Sequence, residues 1–217
     1  MRKLFLTSAG LPGETRNYFL QLLTKEPNDT KVAFIPTAGD HEKNKKYIKL
    51  ALNELKRIGF RDIQIIDLKT ENKRSLLNKL SDCDVIYVNG GNSFYLLYHV
   101  RRSGFDKVVK KLINKGKIYV GVSAGSYIAC PSIEAATWKH QDRNRFGIKD
   151  LSALNLVSFL ITAHFTENYR RIVEREAKKT KYPIIALNDK QAILIKNKEF
   201  TIVGKGKINV FNKIKRS

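Results

Sequence analysis

I-Y-V-G-V-S-A-G-S-Y-I-A-C, residues 118–130, joins a short β-branched and aromatic run to a helix-compatible one through Gly121-x-Ser123-x-Gly125. Strand, sharp turn and helix in immediate succession form the repeating unit of a parallel α/β sheet, and also the context of a nucleophile elbow. Small residues at Gly121 and Gly125 let the chain turn tightly enough to lift the Ser123 hydroxyl off the sheet top. The first amides of the following helix, Ala124 N–H foremost, then lie beside any oxyanion that forms there. A glycine-rich βα turn that binds phosphate, or nothing, is the competing reading of the same residues. The strand before and the helix after favour Ser123 as a nucleophile.

Working outward, further short apolar runs suited to burial on both faces of a sheet stand at 3–7, 32–36, 63–67 and 85–89, with 118–122 the fifth. Helical periodicity separates them. It is clearest over 47–58, where Tyr47, Leu50, Ala51, Leu55 and Ile58 share a side and Gly59 is the stop, and it recurs over 74–80 and 94–101. Strand–helix–strand repetition implies right-handed crossovers with helices on both faces. The expected fold is therefore α/β, a three-layer α/β/α sandwich on a mostly parallel sheet. Beyond Gly125 come a polar stretch at 135–150, expected to be a long loop, an apolar run at 157–162 and a helix over 167–179. Short strands at 183–187, 192–196, 200–203 and 208–211 are expected to close the C-terminal edge through tight turns. With no repeat, low-complexity segment or linker, 1–217 is expected to be one domain.

Composition narrows the function classes. Apolar residues are 42% of the 217, enough for a buried core, so a disordered chain is excluded. No apolar run approaches the ~20 residues that span a bilayer, and the apolar stretch after the basic start is too short for a secretory signal, so no membrane association is expected. Cys83 and Cys130 make no disulfide framework, which fits a reducing cytoplasm, and no Cys/His spacing suggests zinc. Neither a metal nor an organic cofactor is expected. Lys and Arg number 41 against 20 acids, a net charge of +21. That balance is compatible with a nucleic-acid partner. It is not favoured, because the lysines alternate with core positions along the helices, as in Lys43, Lys45, Lys46 and Lys49, or Lys107, Lys110, Lys111 and Lys115. The basic tail from about 205 carries Lys205, Lys207, Lys213, Lys215 and Arg216.

A second glycine turn, Asn89-Gly90-Gly91-Asn92-Ser93-Phe94, follows the run at 85–89 and emerges at the same sheet edge as the elbow. Gly91 N–H is the candidate second oxyanion donor, and Asn92 is a candidate cap for the next helix. A serine nucleophile needs a base, and there are four histidines. His41 and His140 lie in polar segments and His99 falls on a helix. His164, just past an apolar run, sits at a strand end where it can face Ser123. The orienting carboxylate is expected to be Asp189, again at a strand end, with Glu134 or Asp142 in reserve.

G-G-N-S-F-Y-L-L at 90–97, G-V-S-A-G-S-Y-I-A-C-P-S-I at 121–133 and A-H-F-T-E-N at 163–168 together resemble peptidase family S51. That is the dipeptidase E (α-aspartyl dipeptidase) and cyanophycinase group, with a class I glutamine amidotransferase-like, flavodoxin-like fold. The resemblance runs from the first strand to Ala192. It implies Ser123 as nucleophile, His164 as base, Gly91 and Ala124 amides as the oxyanion hole and an acid at the Asp189 position. Members often carry Glu there. Where Asp-selective members read I-R-T-T-N-D, this chain reads Ile133-Glu134-Ala135-Ala136-Thr137-Trp138, so Glu134 stands for the arginine and Trp138 for the aspartate. The Asp-X preference is thus left open, with Arg170 and Arg171 the nearby cations. Amidotransferase relatives use an elbow cysteine; here Cys130 lies seven residues on, pointing into packing, which disfavours glutaminase chemistry.

The expected activity is serine-type hydrolysis of short peptides, with Asn92, Glu134, Trp138, Arg170 and Arg171 contacting substrate. The loop at 134–150, with Trp138, His140, Arg143 and Arg145, would wall the pocket. The alternatives are a serine amidase or esterase on the same fold, or a weakly catalytic polyanion-binding protein.

Overall fold

Apolar residues on both faces of successive short strands can be satisfied only if each strand is covered twice, and the chain does this with helices above and below one sheet. The computed structural model describes residues 1–40, 42, 44–139 and 142–212. His41, Lys43, His140, Lys213, Lys215 and Arg216 lie outside the described residues. The elements run β1 (Lys3–Thr7), α1 (Gly13–Leu20), β2 (Val32–Ile35), α2 (Lys46–Ile58), β3 (Ile63–Ile65), α3 (Lys73–Ser81), β4 (Val85–Val88), α4 (Ser93–Ser103), α5 (Phe105–Asn114), β5 (Ile118–Val122) and α6 (Ala124–Ala129). They continue with β6 (Leu160–Thr162), α7 (Arg170–Ala177), β7 (Ile184–Ala186), β8 (Gln191–Lys196), β9 (Glu199–Gly204) and β10 (Asn209–Phe211).

The main sheet has the order β3-β2-β4-β5-β1-β8-β9. Its first five strands are mutually parallel, and β8 and β9 extend it antiparallel beyond β1. Alternate residues feed two cores. Leu4, Leu6, Ala33, Ile35, Ile86, Val88 and Tyr119 pack with α3–α7. Phe5, Val32, Phe34, Val85, Tyr87 and Val120 pack against Leu11, Phe19, Leu55 and Phe60 around α1 and α2. Each fully buried large apolar side chain contributes about 1.5–3 kcal/mol, which is why these strands carry almost no polar residue. Among the described residues no helix is long and apolar enough to cross a membrane.

Three features depart from the sequence expectations. Leu50, read as part of the buried side of α2, is 64% exposed. The C-terminal strands do not form one edge: β8 and β9 make a hairpin turning at left-handed Asn197, whereas β6, β7 and β10 form a separate sheet, β6 parallel and β10 antiparallel to β7. The helix expected over 167–179 starts as a 3-10 turn, Glu167–Tyr169, and becomes α-helical only at Arg170.

What positions the site is the centre of the main sheet. β5 lies between β4 and β1, with Gly121 opposite both Val88 and Leu6. The turns after β1, β4 and β5 therefore converge at one edge, where parallel α/β sheets bind ligands.

Candidate active site

The elbow is held by backbone packed on backbone. Ser123 has φ 47° and ψ −105°, a conformation that disfavours any side chain. A Cβ on Gly125 would lie 2.1 Å from the Val88 carbonyl oxygen, and one on Gly121 would lie 2.5 Å from that of Gly125, so only glycines allow the helix so close to the sheet. Hydrogen bonds close the turn. Ser123 N–H donates to Thr7 O at 3.0 Å, and the Ser126 hydroxyl reaches Thr7 O at 2.8 Å and Gly121 O at 2.7 Å.

Across from it, His164 Nε2 lies 3.1 Å from Ser123 Oγ and Nδ1 lies 2.6 Å from Asp189 Oδ1. His164 is itself left-handed, with φ 56°. The two loops are tied at their roots, Leu187 N–H to Thr162 O and Phe165 N–H to Leu187 O, each 2.9 Å. Ser8, at the end of β1, completes the arrangement. Its hydroxyl donates to Asp189 Oδ1 at 2.7 Å and accepts the His164 amide at 2.7 Å. The hydrogen bond from His164 first, then burial working against it and the Ser8 bond, leave the Asp189 carboxyl below its usual range.

The second glycine turn lies against the elbow. A Cβ on Gly90 would be 3.3 Å from Ser123 Cβ. Gly91 has φ 137°, and a Cβ there would fall 2.2 Å from Ala38 O, so no other residue fits. Among the described residues, neither Gly91 N–H nor Ala124 N–H is engaged by a protein acceptor. A cavity of about 620 Å³ opens over Ser123 and His164 and reaches Arg16 of α1 and Leu50, Glu54 and Arg57 of α2. Arg16 pairs with Glu54 at 3.5 Å. The exposure of Leu50 is thus accounted for: it faces the cavity.

The residues expected to contact substrate lie elsewhere; none of the five lines this cavity. Asn92 spends both polar atoms on structure, accepting from Tyr95 N–H at 2.9 Å and donating to Arg143 O at 3.1 Å. Glu134 accepts from the Thr180 hydroxyl at 2.6 Å. Trp138 is 8% exposed and packs in the core. Arg170 donates to Glu167 and to Asn209 Oδ1, each at 2.6 Å, and lies over the Phe165 and Phe211 rings, while Arg171 is exposed on α7. Of the reserve acids, Glu134 is committed to Thr180, and Asp142 accepts from Ser93 N–H at 2.8 Å; neither bonds His164. His99 is buried against Tyr95 and Tyr98. Cys130 is packed as expected, its thiol pushed up to about 12 by burial.

Two residues carry weight that the sequence did not single out. One is Ser8. The other is Lys139, buried beneath the site with its ammonium donating to the Ala163 carbonyl, one residue before His164, and lying 5.3 Å over the Tyr169 ring. Burial pulls its pKa down to about 8.

A strained serine between parallel strand and helix, with a histidine and carboxylate in line, is an arrangement that serine hydrolases use. The family model of peptidase family S51 matches residues 4–203, and the chain belongs to that family, a family of peptide-bond hydrolases. An uncharacterized peptidase of Pasteurella multocida (strain Pm70) is 32% identical over 212 residues, covering 95% of this chain and 100% of that one. A peptidase E of Salmonella arizonae is 30% identical over 169 residues, 76% of this chain and 69% of its own. Among solved structures, a protein from Listeria monocytogenes EGD-e described as a candidate peptidase E superposes with a TM-score of 0.81 at 29% identity, covering 95% of this chain and 100% of that one.

Proposed function

We propose that the protein is a serine dipeptidase in which Ser123, His164 and Asp189 form the catalytic triad. The observation that carries this is the in-line pair of contacts at His164, 3.1 Å to Ser123 Oγ and 2.6 Å to Asp189 Oδ1. Ser123 Oγ attacks the scissile carbonyl while His164 Nε2 takes its proton. Asp189 holds Nδ1–H and so fixes the tautomer that leaves Nε2 free to accept. Gly91 and Ala124 N–H stabilise the oxyanion. His164 then protonates the leaving amine, and water repeats the sequence on the acyl-enzyme. Ser8 anchors the base and its acid to the end of β1, next to the elbow.

A cavity of about 620 Å³ suits a short peptide. Among the described residues the guanidinium groups at its wall are those of Arg16, which pairs with Glu54, and Arg57, and an acidic side chain would meet them there. Two buried free cysteines suit a reducing, cytoplasmic setting. The test is an X-Y dipeptide library, Asp-X members included, with wild type and Ser123→Ala side by side. The expected result is turnover that falls by at least about 10⁴-fold in the variant. Turnover that survives the substitution, or none in the wild type, contradicts the reading.

A further inference from the structure

The cavity extends further along α2 than a dipeptide requires. From the Ser123–His164 pair it reaches a wall of α2 made by Tyr47, Leu50, Ala51, Glu54 and Arg57. These positions recur every three or four residues, so they form one stripe, about 15 Å from first to last at 1.5 Å per residue. Packing fixes its near end. A Cβ on Gly39 would lie 2.6 Å from Tyr47 Oη, and one on Gly91 would lie 2.6 Å from Gly39 N, so Tyr47 stands beside the turn that backs Gly91. An extended residue covers about 3.4 Å. The single leaving residue of a dipeptide therefore occupies about a quarter of the stripe.

The far end carries a cation without a partner. Arg16 pairs with Glu54 at 3.5 Å, and Glu54 also accepts from Leu11 N–H at 2.9 Å, so those two charges are engaged with each other and with the turn after β1. Arg57, by contrast, makes no hydrogen bond and no ion pair among the described residues. Two turns before it, Leu50 stands 64% exposed on the same wall. An apolar side chain followed by a free guanidinium suits the last residues of a peptide, a side chain over the first and the carboxylate on the second.

We propose that this stripe is a leaving-group subsite for two or three residues, so that the enzyme cleaves tri- and tetrapeptides as well as dipeptides. Leu50 lies under a leaving side chain and Arg57 binds the C-terminal carboxylate. The inference rests on Ser123 being the nucleophile and goes beyond that reading in substrate length. Three leaving residues span about 10 Å, and the long arginine side chain makes up the remainder.

The test titrates peptides calorimetrically into Ser123→Ala, which lacks the attacking hydroxyl. The probes are the dipeptide of the library that the wild type cleaves fastest and the same dipeptide extended at its C-terminus by one and by two leucines, each as free acid and as amide. The tetrapeptide acid is expected to bind at least about 10-fold tighter than the dipeptide. It should bind about 5-fold tighter than its own amide, the scale of one exposed charge pair. Adding Arg57→Gln is expected to remove the acid–amide difference, and Arg57→Lys to restore part of it. Leu50→Gln should weaken acid and amide alike. Arg57 and Leu50 are exposed on α2, so these variants are expected to fold, which circular dichroism verifies. In the wild type, mass spectrometry should find the tripeptide released whole from the tetrapeptide. Equal binding of the tetrapeptide acid and amide overturns the inference. So does a dipeptide weakened by Arg57→Gln as much as the tetrapeptide, or a wild type that leaves tetrapeptides uncut. Cleavage that survives in Ser123→Ala overturns the serine reading itself, and this inference with it.

Discussion

The Ser123 side of the site and the His164 side are built in opposite ways. On the first, main chain meets main chain: Gly121, Gly125 and the Val88 carbonyl leave no room for a methyl group, and the Ser123 amide and the Ser126 hydroxyl hold the turn through the Thr7 and Gly121 carbonyls. On the second, side chains are 35% and 58% exposed, His164 and Asp189 respectively, and a few polar contacts with Ser8 at their hub fix the geometry. The tightest packing sits where the fold can enforce it, and the proton-transfer side chains sit where they can adjust, although the His164 backbone too is held at φ 56°. Substitutions at the glycines of the first side should thus destroy the fold, whereas those on the second should destroy only the chemistry.

Gly125→Ala is expected to have the largest effect, a loss of at least about 3 kcal/mol in urea denaturation, because the new methyl group meets Val88 O at 2.1 Å with nothing flexible to yield. Asp189→Asn should do the reverse, lowering kcat by about 10³–10⁴-fold while the melting temperature at pH 7 barely moves. The low carboxyl pKa of Asp189 gives a second reading of that variant. Because Asp189 is more than half exposed, the stability tied to that lowered value is small; it is present above the ordinary aspartate pKa and is lost as the pH falls through the lower folded value, so the slight melting-temperature gap at pH 7 should close in acid. Ser8→Ala removes an anchor without touching the reacting atoms and should cost about 10–100-fold in kcat with little change in KM. A loss of stability matching Gly125→Ala would show that this side is structural after all.

The smallest effect concerns Lys139. Burial holds its folded pKa at about 8, below the ordinary lysine value of 10.5, so the unfolded chain binds more protons between those values, and stability should rise with pH across that window. Lys139→Met should lack the rise, a difference in slope between the two denaturation-against-pH curves that stays smaller than the loss in Gly125→Ala.

Legibility in the sequence followed the same divide. β1, β2, β4 and β5 could be read because burial on both faces forces unbroken apolar runs, whereas β3, expected to be buried in the same way, is an edge strand that leaves Gln64 and Ile65 exposed; Gly-x-Ser-x-Gly could be read because close packing admits only small residues. Ser8 was hidden. It follows β1 in an ordinary-looking turn, and only the neighbour order, β1 beside β5, brings it to the elbow. Leu50 fits the helical period of a core residue but serves the cavity. Trp138, in a polar stretch, resembles a pocket wall yet fills the core. Arg170 is drawn away by Asn209, 39 residues distant, a pairing that no local pattern encodes. The separate sheet of β6, β7 and β10 was missed for the same reason, since strand runs do not name their partners.

Labelling with diisopropyl fluorophosphate followed by peptide mass spectrometry tests the central claim most directly. The account predicts one adduct on the peptide carrying Ser123, absent from Ser123→Ala and formed about 10³-fold more slowly in His164→Ala. An adduct on another residue, or none on the folded wild type, would contradict it.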